Sequence, residues 1–205
     1  MTAGAADTFV SAARAFAGLV HALPDSAWDG PGLGDWDLRS LVGHASRSLT
    51  TVITYLQNPA AREDIASPQD YYAYARTLAS TLGGAAIVER GRQAGRDLGD
   101  DPAAAVDGLL ERVIEDLAGR EDPLIEVIGG RGIRLSCYLP TRTFELAVHS
   151  LDIARSSGVE FGLPVDVLRD AAALAAGISV TLGDGESVLL ALTGRTALPE
   201  GFSVV

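Results

Sequence analysis

Apolar residues recur at helical spacing along most of this chain, and a proline or a small polar capping residue opens nearly every such stretch. That punctuation restricts the fold to helices of moderate length joined mostly by short loops. A first helix is expected over about residues 5–23, with Phe9, Ala12, Ala13, Phe16, Leu19 and Val20 at helical spacing and Pro24 ending it. Residues 24–36 form a loop rich in Gly, Asp and Pro that carries Trp28 and Trp36. Asp37 then caps a second helix running to about Gln57, striped by Leu38, Leu41, Val42, Ala45, Leu49, Val52, Ile53 and Leu56. Ser67-Pro68-Gln69-Asp70 combines an N-cap, a proline at the first helical position and an acid in the first turn, and predicts one long third helix over about 69–97. Asp101-Pro102 opens a fourth, to about Gly119. Residues 123–138 predict a loop or short hairpin, Pro140 opens a fifth helix to about Ser157, and a sixth fits 164–182. The tail, from Ser187 through Arg195, reads as one or two short strands. The expected class is mainly α: a helical bundle with an extra C-terminal helix and a short β/loop tail.

A length of 205 residues fits one domain, or one domain with a small appendage, divided here into 1–158 for the bundle and 159–205 for an extension packed on it. A 47% hydrophobic content supports a sizeable core, and only 6% aromatic residues argues against an aromatic-rich sandwich. The net charge of -11 excludes a nucleic-acid surface, which needs clustered cations. It also speaks against an anionic membrane. Every basic side chain outside the histidines is Arg. The absence of lysine removes Schiff-base chemistry, a Walker-type phosphate lysine and a Ser-Lys dyad. All-Arg, Ala-rich usage also fits a high-GC bacterial genome. The single cysteine, Cys137, cannot form an internal disulfide and fits a reducing cytoplasm. No signal peptide is evident, and no apolar run approaches the roughly 18 residues that span a bilayer. A cytoplasmic location follows as the expectation.

Two histidines stand where they can hold a metal. On the fifth helix Arg142, Glu145, His149 and Asp152 fall within roughly 80° of arc, bordering the apolar face of Phe144, Ala147, Val148 and Leu151. Glu145 and His149, one turn apart, can reach one ion. His44 borders the apolar stripe of the second helix, about 60° off its edge. Two imidazoles and one carboxylate suffice for a catalytic zinc with a position left for water or substrate. The same spacing also describes a solvated i,i+4 contact and a surface histidine. Asp152 can orient His149 from behind, although Arg142 and Arg155 compete for it.

The segment Gly34-Asp35-Trp36-Asp37-Leu38-Arg39-Ser40-Leu41-Val42-Gly43-His44 resembles a tryptophan-to-histidine segment of the DinB-like metal-binding fold. It resembles more closely the mycothiol-dependent maleylpyruvate isomerase N-terminal domain family. Arg142-Thr143-Phe144-Glu145-Leu146-Ala147-Val148-His149-Ser150-Leu151-Asp152 is similar to the R-x-x-E-x-x-x-H-x-x-D segment of that family. The resemblance covers roughly residues 5–158, and the Leu192-Thr193-Gly194-Arg195 tail is similar to that of smaller actinobacterial relatives. It implies a DinB-like four-helix bundle with one divalent metal, usually zinc, held by His44, Glu145 and His149, and mycothiol as a cosubstrate. Ser40 departs from the pattern, where an acid is more usual; this weakens a capping box but removes no ligand. The isomerase also carries a second α/β domain that completes its site, whereas about 47 residues follow Gly158 here (205 − 158). That difference leaves the substrate open.

A zinc site of this make-up has a net charge near +1 and favours thiolate or hydroxide as the incoming group. Thiolate addition to a conjugated cis double bond, rotation and elimination give isomerisation; stopping after addition or displacement gives S-transfer. Turnover without thiol would instead mark a metal-dependent hydrolase, and a vestigial or filled site a non-catalytic binding protein. Arg142 and Arg195 are candidates to hold a substrate carboxylate, and each is equally a structural ion-pair partner. Cys137 reads as an active-site thiol or, more in keeping with its surroundings, an inert one, His21 as a favourable charge at a helix C-terminus, and Tyr71, Tyr72 and Tyr74 as packing or pocket residues. The partners expected are a small-molecule substrate and a low-molecular-weight thiol; a homodimer is open.

Overall fold

The structure, a computed structural model, describes residues 4–205, apart from the side chains at 81 and 82. It is mainly α, as the periodicity predicts, and DinB-like. The helices are α1 (Ala5–His21), α2 (Leu38–Tyr55), α3 (Pro68–Leu82), α4 (Gly84–Asp97), α5 (Pro102–Leu117), α6 (Leu135–Ser157), α7 (Val165–Leu182) and α8 (Gly185–Leu192). One antiparallel hairpin, β1 (Leu124–Val127) and β2 (Arg131–Arg134), interrupts them.

The capping residues read from the sequence perform that function. Asp37 Oδ1 accepts from the Ser40 amide at 2.7 Å, Ser67 Oγ from the Asp70 amide at 3.1 Å, and Asp101 Oδ1 from the Ala104 amide at 3.0 Å. Each satisfies an amide that has no partner inside its helix, worth about 1 kcal/mol.

Three expectations are corrected. The long third helix is two helices, because Gly83 takes a left-handed φ of 78° and turns the chain between α3 and α4. The fifth predicted helix starts five residues early, at Leu135, with Pro140 inside it. An aspartate from the loop before the hairpin supports that extra turn: Asp122 accepts from the Ser136 amide at 2.8 Å and from its hydroxyl at 2.9 Å. The tail is not strand. Residues 185–192 form α8, since a short Val/Leu run satisfies a helical period as well as an extended one.

Helices α1, α2 and α6 share the centre of the core, where Phe9, Phe16, Leu41, Leu49, Tyr138, Leu146 and Ile153 are fully buried. Burying a side chain of this size contributes roughly 1.5–3 kcal/mol. The hairpin's two edges are covered by the loop after α2: Ala60 donates to Leu124 O at 3.1 Å, and Asp64 donates to Gly132 O at 2.8 Å. Covering both edges removes a template for unwanted strand pairing. Among the described residues, no helix is long and apolar enough to cross a membrane.

Helix α4 packs on α2 by a different means. It offers glycine where the two backbones meet. A Cβ on Gly43 would overlap the backbone of Ala94 and Gly95, and one on Gly95 would stand 2.9 Å from Arg39 O. One turn away, a Cβ on Gly91 would come 2.5 Å from the Trp36 indole.

Gly43→Ala therefore forces the helices apart and should destabilise the protein by ~1–3 kcal/mol, a fall of several degrees in Tm. Gly18→Ala, at an exposed position of α1 with open space around it, should raise stability by ~0.5–1 kcal/mol. Thermal unfolding followed by circular dichroism checks both, and equal effects of the two substitutions would refute the crossing as a constraint.

Candidate metal centre

His44 follows Gly43 on α2, where α4 approaches most closely. Its imidazole is covered by the Trp36 indole, with ring centroids 4.4 Å apart and planes inclined by 32°. Trp36 is fixed in turn: its Nε1 donates to Val88 O on α4 at 2.9 Å, and its ring lies on Gly91. The loop residue thus bridges α4 to the histidine.

Helix α6 supplies the other groups. The His149 ring meets His44 edge-on, 4.9 Å between centroids. His149 Nε2 lies 3.4 Å from Glu145 Oε2, and its Nδ1 lies 3.2 Å from Asp152 Oδ2. Tyr72 of α3 places its hydroxyl 2.8 Å from Glu145 Oε1 and 3.1 Å from Thr141 O. Ligand atoms of His44, Glu145 and His149 all lie within 4.8 Å of one another.

The charges on these groups are set by their neighbours. Burial, and next the positive charge of His149, pull the His44 pKa down to about 4, so this imidazole is neutral. Burial also disfavours a charged His149, but hydrogen bonding to Asp152 and Glu145 outweighs it and lifts the value to about 9. At Glu145 burial opposes ionisation and is overcome by His149 and Arg142, bringing the carboxyl to about 2. Tyr72 keeps its proton, its pKa raised well above the ordinary value by burial and then by Glu145.

These residues fit a divalent cation. His44 Nδ1 is buried without a hydrogen-bond partner, an omission that a folded protein rarely leaves unexplained. Two imidazoles and a carboxylate match the donor set of an open zinc site. Asp152 sits behind His149, where an acceptor fixes the ring's tautomer and orientation.

A cavity of about 280 Å³ opens beside this cluster, with His44 and Glu145 in its wall. Arg142 also lines it. Its guanidinium lies 5.1 Å from the Tyr138 ring centre and 5.4 Å from that of Tyr71, and its Nε donates to Thr141 Oγ1 at 3.1 Å. Among the described residues its Nη atoms have no hydrogen-bond partner. The remaining wall is mixed: Arg47, Ser48, Thr51 and Tyr55 from α2, Ala75, Leu78 and Ala79 from α3, Ile87 and Arg90 from α4, and Ile128 from the hairpin turn.

Of the five site residues expected from the sequence, four stand together: His44, Arg142, Glu145 and His149. Arg195 stands elsewhere. It is exposed beyond α8, donates to Thr193 O at 2.7 Å, and does not line this cavity. Cys137 is half-buried with its pKa raised by burial, so its thiol is protonated at neutral pH, and it too lies outside the cavity wall. His21 pairs with Asp107 at 2.8 Å on the surface. Sequence reasoning does not join Tyr72 to Glu145, nor does it foresee the stacking of Trp36 on His44. Tyr72 meets Glu145 across 73 positions of chain, and no local pattern marks the pair. The tryptophan does carry a signal, since it heads the segment that ends at His44.

A family model, the mycothiol maleylpyruvate isomerase N-terminal domain, matches residues 9–154. No curated protein matches the chain, and no solved structure does.

In metal-free protein, NMR titration should find His44 neutral down to about pH 4 and His149 protonated up to about pH 9. The raised value of His149 contributes stability that is fully present below the ordinary histidine value of 6.5 and is lost as pH rises through about 9. Two histidines titrating together near 6.5 would contradict this geometry.

Proposed function

The chain belongs to the mycothiol maleylpyruvate isomerase N-terminal domain family, and from that premise we propose that it is a metal-dependent enzyme using a small thiol of the mycothiol type. The reaction is isomerisation of, or S-transfer to, a small electrophile carrying a carboxylate. The observation that carries this reading is the convergence of His44, Glu145 and His149, within 4.8 Å of one another, beside a cavity lined by Arg142.

In this proposal His44, Glu145 and His149 hold one divalent ion, zinc by the character of the donor set. When bound, the ion lowers the pKa of an incoming thiol and so makes a nucleophile available at neutral pH. The rest is done by the chain. Trp36 holds the His44 ring in place by stacking. Asp152 accepts the His149 Nδ1 proton and leaves Nε2 facing Glu145 and His44. Tyr72 donates its hydroxyl proton toward Glu145 Oε1, which leaves Oε2 directed at His149.

Arg142 takes the substrate's carboxylate. Its Nε is engaged by Thr141 and its planar face by Tyr71 and Tyr138, so the guanidinium is oriented before a ligand arrives. The Nη donors are the part left for a bidentate anion. The apolar wall of Ala75, Leu78, Ile87 and Ile128 excludes water from the conjugated part of such a substrate. A cytoplasmic location, where low-molecular-weight thiols are kept reduced, accords with this chemistry.

Purified protein should contain one zinc per chain by elemental analysis, and His44→Ala and His149→Ala should each lose it. Asp152→Asn should weaken zinc binding by ~10–100-fold. Retention of full metal content by both histidine variants would sink the ligand assignment. Metal must displace the His149 proton, so apparent zinc affinity should rise about tenfold per pH unit and level off near pH 9. Arg142→Gln should keep its zinc yet lose at least ~30-fold in kcat/KM for a carboxylate electrophile. Turnover that persists without any thiol would replace this reading with hydrolysis.

A further inference from the structure

Helix α7 is apolar on two opposite faces. Its inner face, Val167, Ala171, Leu174 and Ile178, is buried against the bundle. Its outer face carries Val165, Leu168, Ala172, Ala176 and Val180, spaced three or four residues apart and spanning about 120° of arc. Val165 is 80% exposed and Val180 68%. A helix on the surface of a bundle ordinarily turns polar residues outward. The acids of α7 are instead turned aside onto α1, where Asp166 accepts from Ser11 at 3.3 Å and Asp170 from Thr8 at 3.2 Å. Arg169, the one charged side chain within the outer arc, pairs with Asp170 at 3.0 Å.

The stripe continues onto α8. Ala176, Val180, Val188, Leu189 and Leu192 line an open groove of about 500 Å³ between the two helices, with Glu186 at its wall and Leu192 77% exposed. Protruding side chains and groove therefore lie along one helix, on either side of Ala172 and Ala173. Leu168 and Val180 stand about 18 Å apart along the axis.

We propose that this face is a homodimer interface, occupied by the same face of a second copy of the chain. A twofold axis passing near Ala172 and Ala173 sets two α7 helices antiparallel. The same operation seats Val165 and Leu168 of each copy over the α7/α8 groove of the other. Such self-complementarity is what a closed two-fold contact requires, and the small residues at the crossing let the helices come close. The area is of the right size. The exposed apolar side chains here amount to something on the order of 500 Å², at the upper end of one patch on a monomer. That is a large share of the roughly 800 Å² per partner in a standard interface. Charge is arranged to permit the contact: the net charge of -11 makes two copies repel, but the outer arc of α7 presents no carboxylate, and Glu186 alone among the residues lining the groove carries one.

Sedimentation equilibrium of the full chain tests the proposal. The wild type is expected at twice the 21.3 kDa chain mass, shifting toward 21.3 kDa on dilution. Val165→Glu and Val180→Glu each place a carboxylate in the stripe at a highly exposed position. Each should weaken self-association at least tenfold with an unchanged circular dichroism spectrum. If either spectrum changes, the milder Val165→Ser and Val180→Ser should still weaken it measurably, and no effect from them would overturn the proposal. A wild type that stays at 21.3 kDa at every concentration would overturn it, as would a dimer indifferent to all four substitutions. So would a monomer that instead co-sediments with phosphatidylcholine vesicles, which would assign the face to lipid.

Discussion

Gly43 and Gly95 let the backbones of α2 and α4 touch, and the position of His44 follows from that contact. The histidine is the next residue after Gly43, so the crossing fixes where its Cα lies. Gly91, one turn back along α4, makes room for the Trp36 indole, which covers the histidine ring. A bulkier residue at either glycine would move α4 and Trp36 away together. The candidate metal centre therefore rests on the absence of side chains as much as on their presence. Helix α4 has little apolar surface with which to stay in place otherwise, and tight backbone packing supplies the dispersion contacts that it lacks.

A second constraint operates on α6. Arg142, Glu145, His149 and Asp152 bring four ionisable groups to the edge of the core, where unpaired charge is destabilising by several kcal/mol. They alternate in sign along the helix, with His149 between two carboxylates and Arg142 between two tyrosine rings. In the metal-free protein the proton on His149 balances the pair of acids. A bound cation would take over that role, which explains why a neutral His44 stands opposite: a second imidazolium there would oppose the first, and burial already disfavours it.

The sequence discloses this architecture unevenly, and for physical reasons. Caps at Asp37, Ser67 and Asp101 are local chemistry, visible in four residues, and they form as expected. The one-turn spacing of Glu145 and His149 is local too. That His44 meets them is not; spacing places it only at the border of its helix, and the family resemblance carries the rest. The break at Gly83 is hidden because apolar periodicity runs on either side of it, and only the left-handed backbone turns the chain. Pro140 misleads because proline is an apt first residue of a helix, while the true start depends on Asp122, which lies in a different element. At 188–192 a run of Val and Leu has no period to read. Arg195 stands out by its motif, yet its exposed place beyond α8 leaves it outside the cavity.

The division of labour between helices has an evolutionary consequence. The candidate metal-holding groups, His44, Glu145 and His149, sit on α2 and α6 at the edge of the core. The apolar cavity wall comes largely from α3, α4 and the hairpin turn, through Ala75, Leu78, Ile87 and Ile128. Because α2 and α4 are held by glycine backbone contacts rather than by interlocking side chains, substitutions at Leu78 or Ile87 can reshape the pocket while His44, Glu145 and His149 stay put. Selection can then change what the cavity accepts without having to rebuild the cluster beside it.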